Sequence, residues 1–126
     1  MTFNERYKDN IILIKSFEFS KKIIEFAECL ERDRKFVVSN QLIKSGTSIG
    51  ANVKEAQNGE SKKDFIHKLK IALKEANETE YWLFLCDEMK SYPDCKHLIN
   101  ELESIIKILN KIISSSIIRL NSSKSN

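Results

Sequence analysis

At 126 residues and 14.6 kDa the chain has the size of one ordinary domain. Its 41% hydrophobic and 31% charged residues exclude a disordered protein, and three Gly with one Pro supply too few turn-formers for a many-stranded β fold. The net charge of +3 and pI of 8.7 fall short of a dedicated nucleic-acid binder, and the excess of cations is spread along the chain with no basic arm.

Residues 1–10 carry four charges and no apolar run, which predicts no signal peptide. No stretch approaches the roughly 20 apolar residues of a membrane span. Cys29, Cys86 and Cys95 are odd in number and widely spaced, which argues against a disulfide framework and for a reducing compartment. A cytoplasmic protein is therefore expected.

The first predicted helix runs from about Ser16, a plausible N-cap, to Arg32. Phe19, Ile23, Phe26 and Leu30 draw one apolar stripe, widened by Ile24 and Ala27. Asp33–Lys35 reads as a polar connection.

The second helix is predicted from Phe36 to Gln57, with Val38, Leu42, Ile49, Val53 and Ala56 on one face. Beside them runs a polar stripe of Gln41, Ser45, Ser48, Asn52 and Glu55. It reads either as a solvated face, as a hydrogen-bonded seam facing Glu75, Asn77, Glu78 and Thr79, or as an active site. Gly46 and Gly50 lie one turn apart. Each costs about 1 kcal/mol against alanine in a helix, and close approach of a neighbouring helix would offset that. The segment 45–52 resembles a phosphate loop only superficially, because it lacks the Gly-Lys-Ser/Thr ending. Asn58-Gly59 is expected to end the helix, with Gly59 as a left-handed cap.

Ser61, followed three residues later by Asp64, predicts the start of a third helix that reaches about Lys90. Phe65, Leu69, Ala72, Ala76, Leu83 and Cys86 form its stripe, and Thr79 interrupts it. Lys62, Lys63, Lys70 and Lys74 are candidates for phosphate contact, although a solvated face with glutamate partners is the plainer reading. The only proline, Pro93, lies in the next connection. The fourth helix is predicted from Asp94 to Leu120, with a stripe of Leu98, Leu102, Ile105, Leu109, Ile112 and Ser116. Ile106, Ile108, Ile113, Ile117 and Ile118 make it apolar on several sides, so a partner subunit is expected to cover part of it.

Short connections between long helices force antiparallel neighbours. The expected fold is all-α, an up-down-up-down four-helix bundle over residues 1–121 with a polar tail at 122–126. Chemistry is hard to find in this sequence. There is no CxxC, no HExxH and no Glu-x-x-His, so neither a zinc site nor a di-iron bundle centre is expected. Neither His67 nor His97 follows an arginine with four to six residues between them, as helical Arg/His ribonucleases require. No catalytic residue, metal, cofactor or small-molecule substrate is expected.

The run QLIKSGTSIGANVKEAQNGESKKDFIHKLKIALKEANETEYWL, residues 41–83, resembles the core signature of the bacterial four-helix-bundle proteins, also called the 23S rRNA intervening-sequence protein family. SFEFSKKIIEFA, from Ser16, is similar to that family's first helix. The resemblance implies an up-down bundle assembling into homopentameric rings, with some members encoded inside insertions in 23S rRNA genes and no catalytic residues assigned. A related branch, the accessory variability determinants of diversity-generating retroelements, binds a reverse transcriptase and nucleic acid and is strongly basic. This chain departs from that branch, being nearly neutral with Lys44 the only cation in the middle of its second helix. The expected role is a non-enzymatic assembly or binding module, with RNA or an RNA-processing protein as partner. The alternative is an adaptor for a reverse transcriptase.

Overall fold

The computed structural model describes residues 1–125 and contains only helices among them. They are α1 (Phe3–Arg6), α2 (Ile11–Arg32), α3 (Phe36–Ala56), α4 (Lys62–Glu88) and α5 (Lys96–Ser125). The four long helices pack in chain order, and α5 closes back onto α2. Cross-helix contacts run in opposite directions along each pair. Ser45 of α3 meets Thr79 of α4 while Glu55 meets Lys68. Lys96 of α5 meets Asp87. The result is the expected antiparallel bundle.

The short α1 was not foreseen from the sequence. Thr2 and Glu5 form a capping box around it, each side chain accepting from the other's backbone N–H. One turn cannot hold itself as a helix. Side chains hold it instead: Phe3 stacks on Phe17 of α2 with centroids 3.9 Å apart, and Asn4 Nδ2 donates to Glu18 Oε1 at 2.9 Å. The next helix begins at Ile11, five residues before the expected start. Its cap is Asn10, whose Oδ1 accepts from the Leu13 N–H at 3.2 Å. Ser16 is a buried mid-helix residue that donates to the Leu13 carbonyl. A serine preceding an apolar stripe is ambiguous when a hydroxyl can also bond back within the helix.

At the end of α2, Arg34 takes the left-handed conformation with φ 62°. The Lys35 N–H reaches the Leu30 carbonyl and the Arg34 N–H reaches that of Glu31. This is a Schellman cap built on a non-glycine residue. The glycine expected to do that work for α3, Gly59, has no positive φ. There the chain unwinds through three successive short bonds, Gln57 to Lys54, Asn58 to Glu55 and Gly59 to Ala56, which satisfy the last carbonyls instead. Gly59 has a different reason to be glycine: a Cβ would lie 3.2 Å from the Phe65 nitrogen.

Ser61 caps α4 as expected, accepting from the Asp64 N–H at 3.1 Å. The buried face of α4 is Ile66, Leu69, Ala72, Ala76, Thr79, Leu83 and Cys86, with Phe65 half-buried. On α5, Ile113 takes the buried place expected for Ile112, which is half-buried. The helix continues through the segment read as a tail, to Ser125, and Asn126 lies outside the described residues.

Glycines set the spacing of α2 and α3. A Cβ on Gly46 would lie 2.7 Å from Ile23 Cγ2, and one on Gly50 would lie 3.2 Å from the Ser16 carbonyl oxygen. Both positions are therefore filled by the neighbouring helix, which is the role expected for them. No helix is long and apolar enough to cross a membrane among the described residues.

Candidate nucleic-acid interface

The polar stripe of α3 divides in the structure. Ser45 is fully buried, and its Oγ lies 2.9 Å from Thr79 Oγ1. Thr79 also lies 2.8 Å from the Glu75 carbonyl. A hydroxyl has one proton, so when Thr79 donates to that carbonyl it accepts from Ser45. Glu55 pairs with Lys68 at 2.9 Å, at the surface. These two contacts make the seam. Ser48 and Asn52 turn back onto their own helix, bonding the carbonyls of Lys44 and Ser48. Gln41 is half-buried and Glu78 is exposed. The seam is thus narrower than the stripe, because small hydroxyls and amides can satisfy themselves within a helix without a partner.

Two of the three thiols are unsuited to chemistry. Cys86 and Cys95 are buried, and burial pushes their thiols up, to about 12 and about 11. A thiol held protonated is a poor nucleophile and a poor metal ligand. Cys29 is half-buried beside Arg32, whose Nη2 approaches its sulfur to 3.0 Å. No group of three or more His, Cys, Asp or Glu stands ready for a metal among the described residues.

The lysines behave differently. Lys62, Lys63, Lys70 and Lys74 are all exposed, and none forms an ion pair among the described residues. The plainer expectation, a face neutralised by glutamates, is met only at Lys68. Lys63, Lys70 and Lys74 recur at spacings of seven and four, which keeps them on one outward face of α4. That face changes character along its length. From Lys62 to Lys74, α4 has five lysines and one aspartate. From Glu75 to Glu88 it has five acids and neither Lys nor Arg, with Tyr81, Phe84 and Leu85 exposed among them.

Antiparallel packing extends this polarity. The C-terminal half of α5 lies beside the basic half of α4, and beyond Glu103 its only charged residues are Lys107, Lys111, Arg119 and Lys124. Surface hollows mark the junction. One of about 420 Å³ is lined by Lys62, Phe65, Ile112 and Arg119 among others. Another, of about 320 Å³, has Lys63 and Lys70 on one wall and Ile117 and Leu120 on the other. The sequence reading missed Lys111 and Arg119, since they lie some 40 residues or more from the α4 lysines in the chain.

Comparisons with known proteins agree with this architecture. The family described as 23S rRNA-intervening sequence protein matches residues 8–111. A crystal structure of a protein of unknown function from the S23 ribosomal protein family of Bacteroides thetaiotaomicron is 45% identical, with a TM-score of 0.77. The match covers 81% of this chain and 97% of that one. No functionally curated protein matches the chain.

Proposed function

This chain belongs to the 23S rRNA-intervening sequence protein family, and from that premise we propose that it is a non-enzymatic assembly module that binds RNA or an RNA-processing partner. The observation that carries the reading is the set of four exposed lysines on α4 that have no carboxylate partner among the described residues. Unpaired cations on a rigid helix face favour a polyanion, because each phosphate contact releases condensed counterions.

The same reading includes a homo-oligomer, with a pentameric ring as the form the family resemblance implies. Two features support self-association. The acidic half of α4 presents Tyr81, Phe84 and Leu85, and α5 exposes Ile118 among cations. An exposed apolar face of this kind is covered when a second copy docks on it, and head-to-tail contacts close into rings when the rotation allows. Trp82 adds a second sign: its side chain is only half-buried in the single chain, edge-on to exposed Tyr81, and leaves apolar surface that a neighbour would cover. A ring would repeat the lysine face around its circumference and multiply a weak affinity.

The test is fluorescence anisotropy of a labelled 23S rRNA fragment, titrated across a salt series with the oligomer mass measured in parallel. Affinity that falls linearly in log salt is the expected result. No binding at low salt would remove RNA as the partner and leave a protein to be sought by pull-down.

A further inference from the structure

We propose that the end of the bundle where α5 outruns α2 binds a small organic acid with an apolar body. The proposal goes beyond the RNA reading and shares only Lys62 with it.

The site follows from where α2 begins. Lys22 of α2 pairs with Glu101 of α5, and in the antiparallel register this sets, Ile11 at the head of α2 falls about level with Ile112. From there α5 continues to Ser125. The chain before Ile11 does not accompany it. It doubles back along the outside of α2 and α3: Asn4 bonds Glu18, Phe3 stacks on Phe17, and Lys54 Nζ stands 5.4 Å from the centre of the Tyr7 ring. Past Ile112, the corner that α2 fills elsewhere in the bundle is therefore open. The core ends there in a hollow of about 420 Å³, floored by Ala56 at the end of α3, Phe65 of α4 and Ile112 of α5. That size lies within the roughly 300–1,000 Å³ of small-molecule pockets.

The inward stripe of α5 changes at the same boundary. Leu98, Leu102, Ile105 and Leu109 are fully buried, Ile112 is half-buried, and the next positions on that side are half-buried Ser116 and exposed Arg119. Arg119 and Lys62 both line the hollow, and neither forms an ion pair among the described residues. No acidic side chain is among the lining residues.

An uncovered apolar floor beside two unpaired cations selects an amphipathic anion. The apolar body takes the place of water over Phe65 and Ile112, which is favourable in proportion to the area covered. The carboxylate meets Lys62 and the planar fork of Arg119, which suits two carboxylate oxygens at once. An uncharged molecule gains only the first of these terms, and a small hydrophilic anion only the second.

The experiment is calorimetric titration of the full-length protein with octanoate and with naphthoate, the aliphatic and aromatic forms of such an acid. Octanol and naphthol are the uncharged controls. At least one acid should bind, about tenfold tighter than its alcohol or better, and the tighter of the two acids identifies the body the hollow prefers. Lys62→Gln and Arg119→Gln, both at exposed positions, should each weaken that acid severalfold and leave the melting temperature unchanged. Ser116→Leu fills the hollow from α5, so it should abolish acid binding while keeping or raising the melting temperature. Equal affinity for acid and alcohol would overturn the inference, as would wild-type affinity in both charge variants or undiminished binding to Ser116→Leu. Failure of both acids to bind would overturn it too. RNA enters none of these titrations, so the RNA reading stands or falls separately.

Discussion

Ser45 and Thr79 meet at 2.9 Å in the middle of the bundle, and neither has any accessible surface. This hydroxyl pair is a polar tie between α3 and α4 within an otherwise apolar interface. It fixes their relative register, because a shift of one turn would leave both oxygens facing aliphatic side chains.

Removing one partner should therefore cost more than removing both. Thr79→Val leaves the Ser45 hydroxyl buried without its partner and should destabilise by about 1–3 kcal/mol. Ser45→Ala should cost less, since Thr79 keeps the Glu75 carbonyl. The double variant should recover part of the loss. Urea unfolding of the four proteins checks this as a double-mutant cycle, and simple additivity would refute the tie.

The two glycines of α3 should respond unequally. Gly46→Ala drives a methyl into Ile23, a β-branched residue with no accessible surface, and should cost about 1–2 kcal/mol despite the better helix propensity of alanine. Gly50→Ala meets the Ser16 carbonyl at a looser 3.2 Å, so propensity and crowding should nearly cancel. Leucine at either position should cost more, roughly 1–3 kcal/mol or above. Thermal melts giving the same value for wild type and both leucine variants would show that the helices do not approach as described.

Acid should loosen the N-terminus. Lys21 and Asn4 bond the Glu18 carboxylate and lower its pKa. A carboxylate whose pKa is lower folded than unfolded contributes stability above its unfolded value, and that contribution is lost as pH falls through the folded one. The effect is small at this surface site. Melting temperatures of wild type and Glu18→Gln should differ slightly at neutral pH and converge below about pH 4. A gap that widens in acid would contradict the assignment.

Thiol reactivity should separate the three cysteines. A thiol-selective disulfide reagent at pH 8 should modify Cys29 in the folded protein and leave Cys86 and Cys95 untouched, since burial holds both protonated. All three should react in denaturant. Rapid labelling of Cys86 in the native state would mean that the end of α4 opens.

Most of the fold was legible because its signals are periodic. The stripes of α2 and α3 are buried nearly as their spacing requires, and the Ser61 cap lies where its side chain implies. What stayed hidden depends on contacts distant in sequence. Phe3 stacking on Phe17 makes a helix of α1, and no local pattern announces that. Arg34 takes a left-handed cap at the end of α2, where the sequence read only as a polar connection, and the Lys35–Leu30 bond closes it. The candidate site was half legible. Its α4 lysines share one helix face, whereas Lys111 and Arg119 join them only after the α4–α5 turn folds back. Charge counted along the chain looked evenly spread for the same reason.

Trp82, the chain's only tryptophan, gives the molecule a built-in optical probe. Its indole lies among the acidic and apolar residues of α4, and the lysine cluster occupies the other end of that helix. Dissociation of the proposed oligomer on dilution should let water reach more of the ring and shift its emission to the red. RNA at the basic end should leave the spectrum unchanged. One unlabelled sample can thus report assembly and be blind to cargo, so the two events can be timed independently.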